Sequence, residues 1–206
     1  MDEYGQYSRP DGELGRDTLR KMNEHHRDLV EWAVSVLPDI TPGLILDIGC
    51  GGGMPISILA ERFGSDIRGI DISGESVEMT SEYNAELVSS GRLSVSLDSV
   101  SNVPFADGTF DLVTAFETYF FWPDLANDII EAGRVTAEGG HILVVSETYP
   151  HPDFDERNRE MINTYGMNIV TNREMAEMLE DAGFVVETAE VVENNWVAFI
   201  GRKVTS

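Results

Sequence analysis

Three glycines set two apart, Gly49, Gly51 and Gly53, directly follow the run Leu44-Ile45-Leu46-Asp47-Ile48. The mostly apolar run suits a strand buried on both faces, and glycines placed just after it let the backbone turn sharply and approach a ligand with no Cβ in the way. The chemistry this suggests is the cradling of a nucleotide-like cofactor. A dinucleotide would need G-x-G-x-x-G so that its pyrophosphate could rest on a helix N-terminus. Here the third glycine's place is taken by Met54 or by Ile56, depending on the starting glycine. The pattern fails, and the loop taken alone is equally a tight turn between strand and helix.

Further segments make the loop specific. Ile67-Arg68-Gly69-Ile70-Asp71-Ile72 reads as a second strand ending in an acid, 22 residues beyond Gly49, where a carboxylate can accept both hydroxyls of a ribose. Leu93 to Leu97 alternates as a third strand and is followed by Asp98-Ser99-Val100. Phe110 to Phe116, Glu131 to Val145 and Glu177 to Phe184 complete the series. In order and spacing these segments resemble the class I S-adenosylmethionine-dependent methyltransferases, with Gly49-x-Gly51-x-Gly53 as their first motif. The nearest pattern is the broad small-molecule group that includes the quinone-biosynthesis enzymes. The resemblance implies S-adenosylmethionine as cofactor and S-adenosylhomocysteine as product. It implies contacts from Asp47, Gly49, Cys50, Gly51 and Gly53, from Asp71 and Ile72, from Asp98, Ser99 and Val100, and from Phe116. Many members carry Asp where Ser99 stands, so either Ser99 or Asp98 meets the adenine amino group.

Alternation of strands and helices from Leu44 to Val145, then a helix and two strands, specifies an α/β doubly wound, mostly parallel sheet. The resemblance supplies seven strands in a Rossmann-like order 3-2-1-4-5-7-6, strand 7 antiparallel. One domain over residues 1–206 is expected: a leader and cap in 1–43 and the core in 44–206. Leu19, Met22, His26, Leu29, Val30, Ala33 and Leu37 recur at helical spacing and predict one N-terminal helix. Helices are also predicted over Pro55–Phe63, from Ser73 to about Ser90, and from Pro123 or Asp124 to about Val135.

A methyl on a sulfonium is a strong electrophile, so the protein's task is alignment and desolvation, with a base needed only for a poor nucleophile. Glu117 directly follows the fourth strand and is the expected catalytic or acceptor-binding acid. Tyr119 and Phe121 beside it, with His25 and Tyr149, are the expected acceptor-binding residues, and aromatic faces also suit a sulfonium. His26 lies on the apolar stripe and reads as a packed histidine. The polar stretch Ser146 to Thr171, with Glu147, Tyr149, His151 and Tyr165, is long enough to cover the site. His151-Pro152-Asp153 has no matched second cluster, so no metal is expected.

Composition excludes several classes. The net charge is −23, and lysine occurs only at Lys21 and Lys203. No basic track can release phosphate counterions, so nucleic acid is not an expected partner. The acidity suits either solubility or a high-salt cytoplasm. No apolar run approaches the roughly 18 residues of a membrane span, and the acidic start Met1-Asp2-Glu3-Tyr4 is unlike a signal peptide, so an intracellular, cytoplasmic monomer or homodimer is expected. Cys50 is the single cysteine, which rules out an internal disulfide. The acceptor is expected to be a small molecule, since the Asn/Asp-Pro-Pro-aromatic motif of base and glutamine methylation is replaced by Phe116-Glu117-Thr118-Tyr119. Two other classes fit the loop: a catalytically silent S-adenosylmethionine-binding or regulatory protein, and an NAD or nucleotide-sugar enzyme on a similar sheet.

Overall fold

The computed structural model describes residues 4–204, so the acidic start Met1-Asp2-Glu3 lies outside the described residues. The chain begins with helices α1 (Gly12–His25) and α2 (Arg27–Ser35). The alternating core follows: β1 (Leu44–Ile48), α3 (Met54–Phe63), β2 (Asp66–Asp71), α4 (Gly74–Tyr83), α5 (Ala85–Ser89), β3 (Leu93–Leu97), β4 (Phe110–Phe116), α6 (Leu125–Val135) and β5 (Thr136–Ser146). It ends with α7 (Asp155–Tyr165), α8 (Asn172–Asp181), β6 (Phe184–Val191) and β7 (Trp196–Lys203). The sheet order is β3-β2-β1-β4-β5-β7-β6, with β7 antiparallel to both its neighbours, as the resemblance implied.

Strand alternation explains why both faces are apolar. Ile45, Leu112, Leu143 and Val145 face one layer with Leu29, Val30 and Ala33 of α2 and Ile56 and Leu59 of α3. Their neighbours Leu46, Val113, Ile142 and Val144 face the other layer, with Ile129 and Ala132 of α6 and Met175 and Leu179 of α8. A parallel sheet covered on both sides has no polar face, so near-continuous apolar runs are its sequence signature. All parallel strands run the same way, and their carboxyl ends form one rim on which the loops gather. Among the described residues no helix is long and apolar enough to cross a membrane.

Four elements differ from the sequence expectation. The single N-terminal helix bends at His26 (φ −91°, ψ 1°) into α1 and α2, while His26 N still donates to Met22 O at 2.9 Å and Val30 N to His26 O at 3.0 Å. The helix expected to reach Ser90 breaks at Asn84, whose side-chain amide donates to Gly53 O (2.9 Å) as well as to Thr80 O (3.0 Å). Gly139-Gly140, which in sequence reads as a turn between a helix and the fifth strand, lies within β5, where the register to β4 shifts between Phe110 and Leu112. The long stretch after β5 contains α7, whose apolar residues Met161, Ile162 and Tyr165 fall only in its last turns and so leave no clear helical period.

The glycine loop is held at both ends of its turn by packing. Gly53 has φ 82°, and a Cβ there would come within 2.8 Å of Thr80 Cα and 2.7 Å of Asn84 Nδ2. Gly64, at the far end of α3, has φ 68° with open space around it. Gly64→Ala is therefore expected to cost about 1–2 kcal/mol from backbone conformation alone. Gly53→Ala is expected to cost about 2–4 kcal/mol because α4 must also shift. Urea unfolding of the two variants measures the difference.

Candidate active site

Hydrogen bonds fix the loop from three sides. Gly49 N and Cys50 N donate to Ile70 O at 2.8 and 3.1 Å, which ties the turn to β2. Thr80 Oγ1 donates to Gly51 O (2.9 Å) from α4, and Asn23 Nδ2 donates to Gly52 O (2.9 Å) from α1. Asp71, at the end of β2, accepts from Gly51 N (3.0 Å) and Ser73 N (2.8 Å). Burial pushes its carboxyl pKa up, and those backbone donors pull against the rise. Gly49 and Gly51 both have positive φ, but only Gly51 looks onto open space, with the nearest atom to an added Cβ at 3.8 Å.

This loop forms one wall of a cavity at the rim. Gly49, Cys50, Gly51, Asp71 and Ile72 line it from β1 and β2; Asp98, Ser99 and Val100 line it beyond β3, and Phe116 at β4. Those nine residues of the expected cofactor set are brought together. Gly53 packs against α4 instead, and Asp47 lies buried in the sheet below the loop. Ser99 Oγ accepts from Ser101 N (3.2 Å) and caps a short 3-10 turn, while Asp98 N donates to Asp71 O (3.0 Å). The Cys50 thiol is buried, and burial followed by the Asp71 and Asp47 charges raises its pKa, which disfavours the reactive thiolate.

A second cavity adjoins the first. Tyr7, Met22, His26, Glu117 and Phe121 line both, and His25, Phe120, Glu147, Arg157, Met161 and Tyr165 belong to the second. Glu117 sits directly after β4 with φ 54°, a left-handed conformation costly for a side chain with a Cβ. Its Oε1 accepts from Glu147 N at 2.5 Å. Burial first, then the Glu147 charge, push its carboxyl well above the usual carboxylate range, which favours the neutral form. Glu147 lies at the carboxyl end of β5. Burial opposes its ionisation, but the imidazoles of His26 and His25 and the Arg157 guanidinium outweigh burial and hold it at about 2. The two carboxyls thus share a wall with their pKa values pushed in opposite directions.

Of the expected acceptor-binding residues, His25 and Phe121 line the second cavity. Tyr119 and Tyr149 do not. Tyr119 is 1% exposed within the core below β4, where the 3-10 turn after Glu117 buries both it and Phe120. Tyr149 is also buried, its hydroxyl donating to Glu190 Oε2 at 3.3 Å and its carbonyl accepting from Asn158 Nδ2 at 2.7 Å. Four further residues belong to the site: Arg157 and Asn23, which the sequence does not single out, His26, which it reads as packed, and Glu147, which it places only in the covering stretch. Glu147 had a signal: like Glu117 it is an acid at the carboxyl end of a core strand. Asn23 had none, since its partner is a backbone carbonyl 29 residues away.

Asp47 carries a measurable consequence. Its Oδ1 accepts from Thr114 Oγ1 (2.7 Å), while its buried Oδ2 has no partner. Burial raises the carboxyl to about 7; the Thr114 bond pulls it down and the Asp71 charge adds to the rise. The unfolded value is about 3.9. The folded protein therefore keeps a proton that the unfolded chain gives up between about pH 4 and 7, and this contribution to stability is lost as pH rises through that window. At about 1.4 kcal/mol per pKa unit the loss is a few kcal/mol. Asp47→Asn is expected to gain stability relative to the native chain at pH 8 but not at pH 4.5, read from denaturant midpoints at both values.

Residues 46–144 match the family model described as a methyltransferase domain. The chain is 31% identical over 133 residues to a probable chloroplastic tocopherol O-methyltransferase of Oryza sativa subsp. japonica, covering 61% of this chain and 37% of that protein. It is 29% identical over 182 residues to the 27-O-demethylrifamycin SV methyltransferase of Amycolatopsis mediterranei, covering 85% and 66%. The chain thus spans about one third to two thirds of the length of these curated relatives. Among solved structures, a chain of the complex between the Haloferax volcanii Trm112 methyltransferase activator and a putative methyltransferase superposes with a TM-score of 0.81 at 19% identity, covering 100% and 99% of the two chains. A geranyl diphosphate C-methyltransferase of Streptomyces coelicolor A3(2), complexed with Mg2+, geranyl diphosphate and S-adenosyl-L-homocysteine, gives 0.77 at 15% identity, covering 97% and 87%. The family match over residues 46–144, the relatives and the strand order, met on the same glycine loop, all support a class I S-adenosylmethionine-dependent methyltransferase.

Proposed function

We propose that the chain transfers a methyl group from S-adenosylmethionine to a small-molecule acceptor. The observation that carries this reading is the wall of Tyr7, Met22, His26, Glu117 and Phe121 common to the glycine-loop cavity and its neighbour, since methyl transfer needs donor and acceptor in contact across one boundary. The residues suit a cationic nucleoside: open space over Gly51, an unpartnered oxygen on Asp47, and the Asp71 carboxylate beside the loop. When bound, the cofactor supplies a sulfonium methyl that a nucleophile displaces in line.

The chain's own residues then have assignable parts. Asp71 accepts the ribose hydroxyls, Asp98 or Ser99 meets the adenine edge over Val100, and Asp47 answers the cofactor's positive charge through the loop. Ile72 and Phe116 cover apolar surface, and Gly49, Cys50, Gly51 and Gly53 keep the backbone low. Phe120, Phe121, Met161 and Tyr165 exclude water from the acceptor, and alignment by such walls can lower a barrier by about 7–11 kcal/mol. Glu117, whose burial favours the neutral form, donates a hydrogen bond from its second oxygen to the acceptor while its first stays on Glu147 N. His25 contacts the acceptor at the cavity mouth. Residues 1–43 act as leader and cap on a core of 44–206.

Calorimetry is expected to show S-adenosylhomocysteine binding at micromolar concentration and no binding of NAD. The absence of binding by either S-adenosyl ligand at millimolar concentration would overturn the reading. Labelled S-adenosylmethionine with a metabolite pool is expected to yield a labelled small product, which separates an enzyme from a silent binder. Glu117→Gln is expected to keep cofactor affinity and lose about tenfold or more in turnover. Unchanged turnover would remove Glu117 from the mechanism.

A further inference from the structure

Two neighbouring residues of a regular helix point about 100° apart, so His25 and His26 could not both address one partner from an unbroken helix. The bend at His26 changes that. His25 Nε2 stands 3.1 and 3.3 Å from the two oxygens of Glu147, and His26 Nε2 stands 3.8 Å from Glu147 Oε1. One ligand atom from each of the three side chains lies within 4.8 Å of the others. We infer that His25, His26 and Glu147 form a binding site for a divalent transition-metal cation at the border of the acceptor cavity.

The donor set selects the cation. Two imidazoles and one carboxylate suit zinc, cobalt, nickel or iron, whereas magnesium and calcium want oxygen throughout. Bonds of about 2.0–2.2 Å in a tetrahedral site put donors about 3.3–3.5 Å apart, so the three groups need only small side-chain adjustments to converge. Outer contacts hold the Glu147 backbone in place: Glu147 N donates to Glu117 Oε1, and Asn195 Nδ2 donates to Glu147 O at 3.4 Å. Two cations oppose the ion. Lys21 is exposed at the same cavity, and Arg157 Nη2 lies 3.6 Å from Glu147 Oε1 with 38% of its side chain in solvent, free to turn outward. Three protein ligands leave a coordination position open, the arrangement of catalytic rather than structural metal sites. Resting on the methyl-transfer reading, an acceptor hydroxyl in that position would lose its proton to solvent and keep the electron pair for attack on the methyl.

The test uses the full chain freed of any histidine tag, at fixed pH and about 1 M KCl to screen adventitious binding to the acidic surface. Titration with Co(II) is expected to give visible d–d absorption saturating at one ion per chain, displaced by Zn(II). His25→Ala is expected to weaken metal binding by about 10–100-fold while S-adenosylhomocysteine affinity stays unchanged, and His26→Ala to weaken metal binding to a similar extent. Absence of a saturable cobalt spectrum below millimolar metal overturns the site, as does a spectrum that neither variant alters. Cofactor binding without metal binding sinks this site alone; metal binding without cofactor binding leaves the site standing and sinks the methyl-transfer reading.

Discussion

Side-chain hydrogen bonds onto the glycine turn are the interaction on which the rest of the site depends. A turn with alternate residues at positive φ continues neither strand nor helix, so side chains supplement its backbone hydrogen bonds. Asn23, Thr80 and Asn84 reach Gly52 O, Gly51 O and Gly53 O from α1 and α4. Those bonds fix the turn and fix the helices too: α4 ends at Asn84 because its side chain is committed to the loop, and α1 is drawn onto the rim. Asp71 closes the arrangement from β2 through Gly51 N. Position of cap, loop and sheet edge are therefore one constraint rather than three.

The rim concentrates carboxyl groups in a chain already carrying net charge −23. Burial raises Asp47, Asp71 and Glu117, so each is easier to protonate than an exposed acid. Glu147 goes the other way because two imidazoles and a guanidinium surround it. The difference lies in partners, not in depth. Asp47 and Asp71 flank the glycine loop, whereas Glu147, held low among basic side chains, marks the acceptor side. The strained backbone of Glu117 fits the same division, since the left-handed φ turns its side chain back to Glu147 N.

The parts of the fold legible in the sequence were those with local causes. Leu44–Ile48 and Phe110–Phe116 were read as strands with the bounds the structure has because a doubly covered strand needs only apolar content, and the edge strand Leu93–Leu97 because its residues alternate. Nine cofactor-site residues lie on one cavity because each follows a strand end, and strand ends share a rim. Helix α7 was missed because its stabilising contacts are tertiary: buried Asn158 bonds Tyr149 O and Asn195 Nδ2 rather than contributing to an apolar stripe. Tyr119 and Tyr149 were expected at the acceptor because aromatic type says nothing of which face of a turn it occupies.

By itself the sequence determined the strand order's local ingredients, the glycine turn and the acid after each core strand, since backbone freedom and apolar period are properties of neighbours along the chain. Only the tertiary structure decided which acids meet and in what charge state. Glu117 and Glu147 are 30 residues apart, and Glu147 is 122 residues from His25. Their encounter depends on the register of β4 with β5 and on a bend at His26 that the helical spacing of the apolar residues does not record. Burial and partner charge are set by packing across such distances, and packing exists only once the chain has folded.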